Sequence, residues 1–221
     1  MRAMRVATYV AGLLAIATAS AAAQKTCNVD SSARWFVKQR EWLSDAKPSW
    51  TNDTLRMSLL RAAHLEPAQQ LSVQMGWEIQ DDVAPFLMTG ESAAVAQLRT
   101  LASTRGSEWP TKSVVGASGV RAVWLLAHID TALTRSALKR MMEAGPEESN
   151  AADVAMLEDR LRLQSGRKQI YGTQFRVGAD GKLVLASMED SAHVDLRRED
   201  AGLPTFKTSA CLAQKSMSTR K

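Results

Sequence analysis

The feature that most constrains the fold is an apolar segment near the middle of the chain. Residues 118–128 suit a helix, and the part from 122 to 127 is apolar on every side, with Trp124 at its centre. A helix that is apolar all round is normally buried at the centre of a domain, because no face of it suits water. The sequence therefore predicts a helical domain with this segment in its core.

Helical periodicity dominates the chain on both sides of this segment. Apolar residues recur three, four or seven positions apart, caps or a proline stand at helix starts, and glycine follows several ends. The helices predicted in this way cover approximately 32–43, 53–63, 67–79, 91–104, 131–144 and 150–164.

The period changes after residue 168. Residues 169–177 alternate between the two faces of a strand, and Asp180-Gly181 favours a tight turn into residues 183–185. Asp190 or Ser191 then caps a short helix that ends at Ala201. We find no repeat and no linker, so the predicted fold class is mainly α (α+β): a single helical domain with one small β-hairpin near the C-terminal third.

The first 23 residues have the three parts of a secretory signal peptide. Arg2 and Arg5 supply the positive start, residues 6–17 are apolar, and Ala21-Ala22-Ala23 is a small-residue cleavage signal. A transmembrane anchor is the alternative, but a bilayer span needs about 20 apolar residues. We expect cleavage near Ala23 and export to the periplasm or beyond, with residues 24–221 as one domain that has no transmembrane anchor.

The two cysteines, Cys27 and Cys211, stand near opposite ends of the mature chain. Disulfides persist in oxidising compartments, so an exported chain favours a bond that ties down two ends which otherwise fray. Two unrelated free thiols are the alternative. In the chain-entropy model, closing a loop of about 185 residues stabilises the fold by about 4–5 kcal/mol.

Charge excludes one class of partner. The formal net charge of +5 falls to +3 when cleavage removes Arg2 and Arg5. Basic residues alternate with acidic ones instead of clustering, so we predict no nucleic-acid partner. The basic tail after Lys215 is interpreted as a solvated end. A ligand or a protein partner of the cell envelope remains open.

Metal and nucleophile motifs are weak. His128 and His193 each begin a His-x-Asp triplet, but positions i and i+2 of a helix diverge, so a triplet could chelate only at a helix end. The sequence has no Gly-x-Ser-x-Gly elbow and no evident base beside a hydroxyl. We predict no metal site and no cofactor, and whether the protein is an enzyme stays open.

Asp159 is the most informative single residue. On the predicted helix 150–164 it lies between apolar neighbours, so its carboxylate is expected to be partly buried and to need partners. Arg160, Arg197, Arg198 or Tyr171 could provide them. The structural interpretation is a buried ion pair that fixes the hairpin to the helices, and the functional one is an acid/base with a raised pKa in a cleft.

A series of motifs in the second half of the chain resembles a known grouping. They are Trp109-Pro110-Thr111, Val115-Gly116, His128 with Asp130, Leu157-Glu158-Asp159-Arg160, Gly166, Gln169-x-Tyr171-Gly172-Thr173-Gln174, Asp190, Val194-Asp195-x-Arg197-Arg198 and Gly202-Leu203. Over about 109–203 this order is similar to an uncharacterised bacterial domain-of-unknown-function family. The family pattern has Asn where His193 stands here, which weakens the second His-x-Asp triplet as a metal site. The resemblance implies a grouping of residues and no reaction.

This grouping leads to two hypotheses. Its polar and amphipathic residues come from separate elements and, if they converge, form either one polar cleft or one buried hydrogen-bond network. They are Trp109, His128, Asp159, Arg160, Tyr171, Gln174 and Arg197. In the first hypothesis the protein is a binding or interaction module of the cell envelope, and its polar cluster is structural or holds a ligand. In the second it is an envelope hydrolase with His128 and Asp159 as acid/base candidates. The binding candidates are Trp109, Arg160, Tyr171, Gln174 and Arg197.

Overall fold

The computed structural model describes residues 27, 32–43, 50–63, 93–104, 108–128, 131–178 and 183–218. This part is mainly helical, as the sequence predicts, with one two-stranded antiparallel hairpin. Its elements are α1 Arg34–Leu43, α2 Asp53–Ala62, α3 Ala93–Ser103, α4 Lys112–Leu126, α5 Thr131–Ala144, α6 Ala151–Gln164, β1 Phe175–Val177, β2 Leu183–Leu185, α7 Val194–Asp200 and α8 Phe206–Ser218.

Helix α4 is the buried centre of the domain, which confirms the prediction from its apolar sequence. Every residue from Val114 to Leu126 is buried except Leu125. The helix breaks at Gly116, whose φ of 70° and ψ of 169° lie outside the helical region. A residue with a side chain adopts this positive φ at a cost, so glycine suits the break.

Other helices pack around α4 with their apolar faces. Helix α2 lies against it and is capped by Asn52, whose side chain accepts a hydrogen bond from the backbone of Leu55 at 2.9 Å. Helices α5 and α6 pack on each other, and α3 contacts both α2 and α5. One continuous core joins these helices, with Trp42 of α1 packed against its edge.

The hairpin is shorter than the alternating pattern predicts. Strand β1 begins at Phe175 and pairs with β2 in the register Phe175 to Leu185. The strand predicted from residue 169 does not form over residues 169–174, although Gln169 makes an isolated β-bridge to Met188. Three backbone N–H groups of this segment bind a side chain of α6, described below, and are unavailable to a β-ladder.

A disulfide joins Cys27 to Cys211, as the sequence predicts, across a sequence separation of 184. It lies in a second small core with Phe175, Leu212 and Ala213. Cys211 belongs to α8, a helix absent from the sequence prediction, which assigned no element after Ala201 and interpreted the tail after Lys215 as a solvated end. The residues from 206 to 218 are helical, and this helix covers one side of the hairpin.

Four predictions lie outside the described residues in whole or in part: the signal peptide, the helix at 67–79, the turn at Asp180-Gly181 and the first His-x-Asp triplet, through Asp130. None of the helices in the described ranges combines the length and apolar composition that crossing a bilayer requires.

We predict that replacing both cysteines, Cys27→Ser with Cys211→Ser, lowers the free energy of unfolding by about 4–5 kcal/mol, because the unfolded chain regains the entropy of a large closed loop. Urea denaturation of the parent and the double variant measures this difference. A thiol reductant should destabilise the parent to the level of the double variant and leave the variant unchanged. Equal stabilities of the two proteins without reductant would contradict the prediction.

Candidate functional site

The carboxylate of Asp159 organises the segment that precedes the hairpin. Asp159 faces away from solvent on α6 and is fully buried. Its oxygens accept hydrogen bonds from the backbone of Ile170 at 2.7 Å, of Tyr171 at 3.1 and 3.2 Å, and of Thr173 at 3.0 Å. The Thr173 hydroxyl adds a bond at 2.9 Å. A ring of backbone N–H groups of this kind stabilises a buried negative charge.

Two guanidinium groups of α7 bind the carbonyl side of the same segment. Arg197 donates from Nε to the Ile170 carbonyl at 2.8 Å, and Arg198 donates to the carbonyls of Tyr171 at 2.5 Å and Gly172 at 3.3 Å. Arg198 is fully buried, and burial lowers its pKa to about 10. The peptide groups of residues 170–173 therefore lie between one carboxylate and two cations. We call residues 169–174, which include these peptide groups, the clamped loop.

Two further residues complete the clamped loop. Gly172 has a φ of +64°, and a Cβ there would lie 2.9 Å from the sulfur of Met188 and 3.1 Å from the ring of Phe206. Gln169 is buried and spans the loop, since its side chain accepts from the Gln174 backbone at 2.9 Å and donates to the Ala186 carbonyl at 2.7 Å. Glycine and glutamine are thus both required by the local geometry.

An open groove lies beside the clamped loop, with a volume of about 400 Å³. It is formed by the end of α5, the turn that follows it, the start of α6, the clamped loop and the end of α7. Its lining residues are Met141, Met142, Gly145, Pro146, Ser149, Ala151, Val154, Ala155, Tyr171, Arg197, Asp200 and Ala201. Two of the binding candidates from the sequence, Tyr171 and Arg197, therefore border one concave surface.

His128 occupies a different environment at the end of α4. Its Nδ1 lies 2.7 Å from the Trp124 carbonyl, and its Nε2 is buried with no hydrogen-bond partner in the described part of the chain. Burial, with the nearby Arg160 guanidinium as a second cause, lowers the pKa of His128 to about 3. The ring is therefore neutral over the physiological range. Arg160 donates to the His128 carbonyl at 3.3 Å.

The predicted site residues thus fall into separate groups. Asp159, the Tyr171 backbone, Gln174 and Arg197 meet at the clamped loop, where Gln174 is buried and its amide lies 3.4 Å from the Met156 carbonyl. His128 and Asp159 share no hydrogen bond among the described residues. Trp109 is buried near Arg140, whose guanidinium lies 5.8 Å from the indole ring.

Sequence reasoning did not predict the roles of two acidic residues, which it named only as a helix cap or within a motif. Asp190 accepts from His193 at 3.0 Å and from Arg197 at 3.1 Å, and it adopts a φ of 39°. The hydrogen bond from His193 is the main cause that lowers the pKa of Asp190. Asp195 accepts a hydrogen bond from the backbone N–H of Phe206 at 2.6 Å. This N–H group lies in the first turn of α8, where it has no partner within the helix.

A buried ion pair between Arg121 and Asp153 was also missed, because spacing along α4 and α6 does not reveal which faces meet. Arg121 also lies 4.1 Å over the ring of Trp124. Burial raises the pKa of Asp153 to about 6, against the opposing influence of Arg121. In the described ranges no three His, Cys, Asp or Glu side chains come together in a way that could hold a metal ion.

The fold and the site define a helical domain whose hairpin is anchored to the core through a buried carboxylate. The chain belongs to a family of unknown function, DUF6624, whose family model matches residues 54–218. This match confirms the resemblance to a domain-of-unknown-function family and extends it on both sides of residues 109–203. No curated protein and no solved structure matches the chain.

We predict that Asp159→Asn lowers the free energy of unfolding by about 3–5 kcal/mol, because the buried network loses its negative charge and one of its two acceptor oxygens and gains a misplaced N–H donor. Urea denaturation followed by circular dichroism measures this loss. Glu158→Gln, the half-buried carboxylate next along α6, is the matched control and should stay close to the parent. An Asp159→Asn variant as stable as the parent would show that the carboxylate does not hold the loop.

We also predict that His128 makes the free energy of unfolding depend on pH. Because the folded-state pKa is lowered to about 3, the unfolded chain binds a proton that the native chain does not, and stability falls as the pH drops below the unfolded value. Between about pH 7.5 and about pH 5 the parent should lose about 2 kcal/mol relative to His128→Gln. Urea midpoints of both proteins across this range test it, and parallel pH profiles would exclude a sealed neutral imidazole.

Proposed function

We propose that this protein is an exported binding module of the cell envelope that holds a small, largely apolar ligand in the groove beside the clamped loop. The observation that carries this proposal is the groove itself. Its volume of about 400 Å³ falls within the range of roughly 300–1,000 Å³ that is typical of small-molecule sites. Most of its lining is apolar, with a few polar groups at defined positions.

The positions of these polar groups support the proposal. Tyr171 is held through its backbone by Asp159 and Arg198, so its half-buried ring borders the groove in a fixed place. The phenol itself makes no hydrogen bond within the described residues. Burial, with Glu158 and Asp159 as further causes, raises the pKa of Tyr171, so the phenol is neutral and able to donate or accept. A fixed aromatic ring with a free hydroxyl suits recognition of an amphipathic ligand.

The methionines at the groove favour a ligand of adaptable shape. Met141 is buried, whereas Met142 is 59 % exposed. Methionine is flexible and polarisable, and it recurs on surfaces that accommodate several apolar partners.

The alternative function, a hydrolase that uses His128 and Asp159 as acid and base, has less support from the geometry. All the hydrogen bonds of the Asp159 carboxylate go to the clamped loop, and the His128 ring is neutral with a buried Nε2. A general base needs a lone pair that reaches substrate and a pKa near the working pH.

The binding proposal is tested with 1-octanol as a neutral apolar probe and protein labelled with ¹³C at the methionine methyl groups. We expect saturable shifts of the Met141 and Met142 resonances, assigned through Met→Leu variants. Ala151→Trp, which places an indole in the groove, should weaken binding at least about tenfold, or about 1.4 kcal/mol.

The matched control is Ala132→Trp, which adds the same side chain at an exposed position of α5 outside the groove. It should bind 1-octanol like the parent. If no saturable shift occurs, or if both tryptophan variants bind equally, the groove is not the binding site. Hydrolysis of p-nitrophenyl esters that is lost in a stable His128→Gln variant would favour the hydrolase.

A further inference from the structure

The cationic side chain in the groove, Arg197, is already hydrogen-bonded to other groups of the protein. Arg197 has five N–H donors. Its Nε binds the Ile170 carbonyl, one terminal nitrogen binds the carbonyls of Glu189 and Asp190, and the other binds the Asp190 carboxylate. Four of the five donors are therefore used, and Asp190 balances the charge. Arg197 fixes the wall of the groove and has little capacity left for an anionic ligand.

The negative charge at the groove is by contrast unpaired. Asp200 lines the groove and is exposed, and its carboxylate makes no hydrogen bond or ion pair within the described residues. Two cations of the neighbouring α1 bind the adjacent residue instead, since Arg34 pairs with the Glu199 carboxylate at 3.3 Å and Lys38 donates to the Glu199 carbonyl at 3.3 Å. Glu147, directly after the lining residue Pro146, is a second exposed carboxylate with no ion pair to the described residues.

A second, independent feature of the groove also calls for a hydrogen-bonding ligand. Ser149 lines it and is only 1 % exposed, yet its hydroxyl oxygen makes no hydrogen bond in the described part of the chain. A buried hydroxyl without a partner is costly, and a bound polar group that supplies one removes this cost. Apolar surface lies next to it, because Met141 and Val154 also line the groove.

We propose that the groove selects a small cationic amphiphile, an alkylammonium whose apolar chain lies on the methionine side and whose ammonium group lies near Asp200. This inference rests on the proposed binding function and specifies its ligand class. A primary ammonium has three donors and no acceptor. Carboxylate, hydroxyl and phenol oxygens accept such donors, and all three kinds of oxygen belong to residues that line this groove: Asp200, Ser149 and Tyr171.

The test compares three probes with the same chain length: octylammonium, 1-octanol and octanoate. Dissociation constants come from the Met141 and Met142 methyl shifts at concentrations at which no micelles form. We expect octylammonium to bind more tightly than 1-octanol, and octanoate to bind most weakly. Asp200→Asn should weaken octylammonium about two- to fivefold, the usual effect of one exposed charge pair, and leave 1-octanol unchanged.

Glu199→Gln is the matched control, because this adjacent carboxylate is already paired with Arg34. It should leave the affinity for octylammonium unchanged. Raising the ionic strength from about 0.01 M to about 0.15 M should weaken octylammonium and not 1-octanol, since salt screens exposed charges.

The possible failures are distinguishable. If 1-octanol binds in the groove but octanoate binds as tightly as octylammonium, or if Asp200→Asn has no effect, the charge selection is wrong and the binding function stands. If none of the three probes shifts the Met141 and Met142 resonances, the proposed function fails together with the inference. If Glu199→Gln weakens octylammonium as much as Asp200→Asn does, the effect is one of general surface charge and the assignment to Asp200 is overturned.

Discussion

The buried carboxylate of Asp159 is the interaction on which the site depends. Its oxygens accept hydrogen bonds from backbone N–H groups of the clamped loop, as the carbonyls of a neighbouring strand would otherwise do. These N–H groups therefore cannot also join a β-ladder. The carbonyls on the opposite side of the loop meet Arg197 and Arg198. The peptide dipoles are thus aligned between opposite charges, and this alignment fixes α6, the hairpin and α7 relative to one another. Tyr171 of the clamped loop and Arg197 of α7, both held in this way, line the groove.

The buried charged groups of the described domain have clear roles in stabilising the fold, whereas a catalytic role for them has less support. Asp159 and Arg198 are both fully buried, and each is bound mainly by backbone groups. Arg121 and Asp153 neutralise one another between α4 and α6. Burial of such groups is costly unless their hydrogen bonds are satisfied, and Asp153 retains one buried oxygen, Oδ2, without a hydrogen-bond partner among the described residues. The groups that remain available to a ligand, such as Asp200, lie at the rim of the groove, where water solvates them in the absence of a ligand.

The helices are predicted well from the sequence because the buried face of a helix places apolar residues at regular intervals along the chain. Helix α4 is recognisable from its uninterrupted apolar surface, and the helix with Asp159 from its spacing. The same logic fails at residues 169–174, whose alternation suggests a strand, because a side chain of another helix takes the backbone N–H groups. It fails again at α8, where polar and small residues dilute the apolar face. The importance of Asp159 was predictable from its apolar neighbours, whereas its backbone partners and the groove arise from tertiary packing that spacing does not encode.

The Cys27–Cys211 bond has a topological consequence. Because it joins the start of the described chain to α8, the polypeptide between the two cysteines is a covalent ring. A protease that cuts an exposed turn anywhere in this ring opens it but releases no fragment. The two pieces stay attached, and the helices on either side of the cut keep their mutual contacts. In an environment that contains proteases, such a ring survives a first cut as one molecule, and only a second cut removes a piece of it.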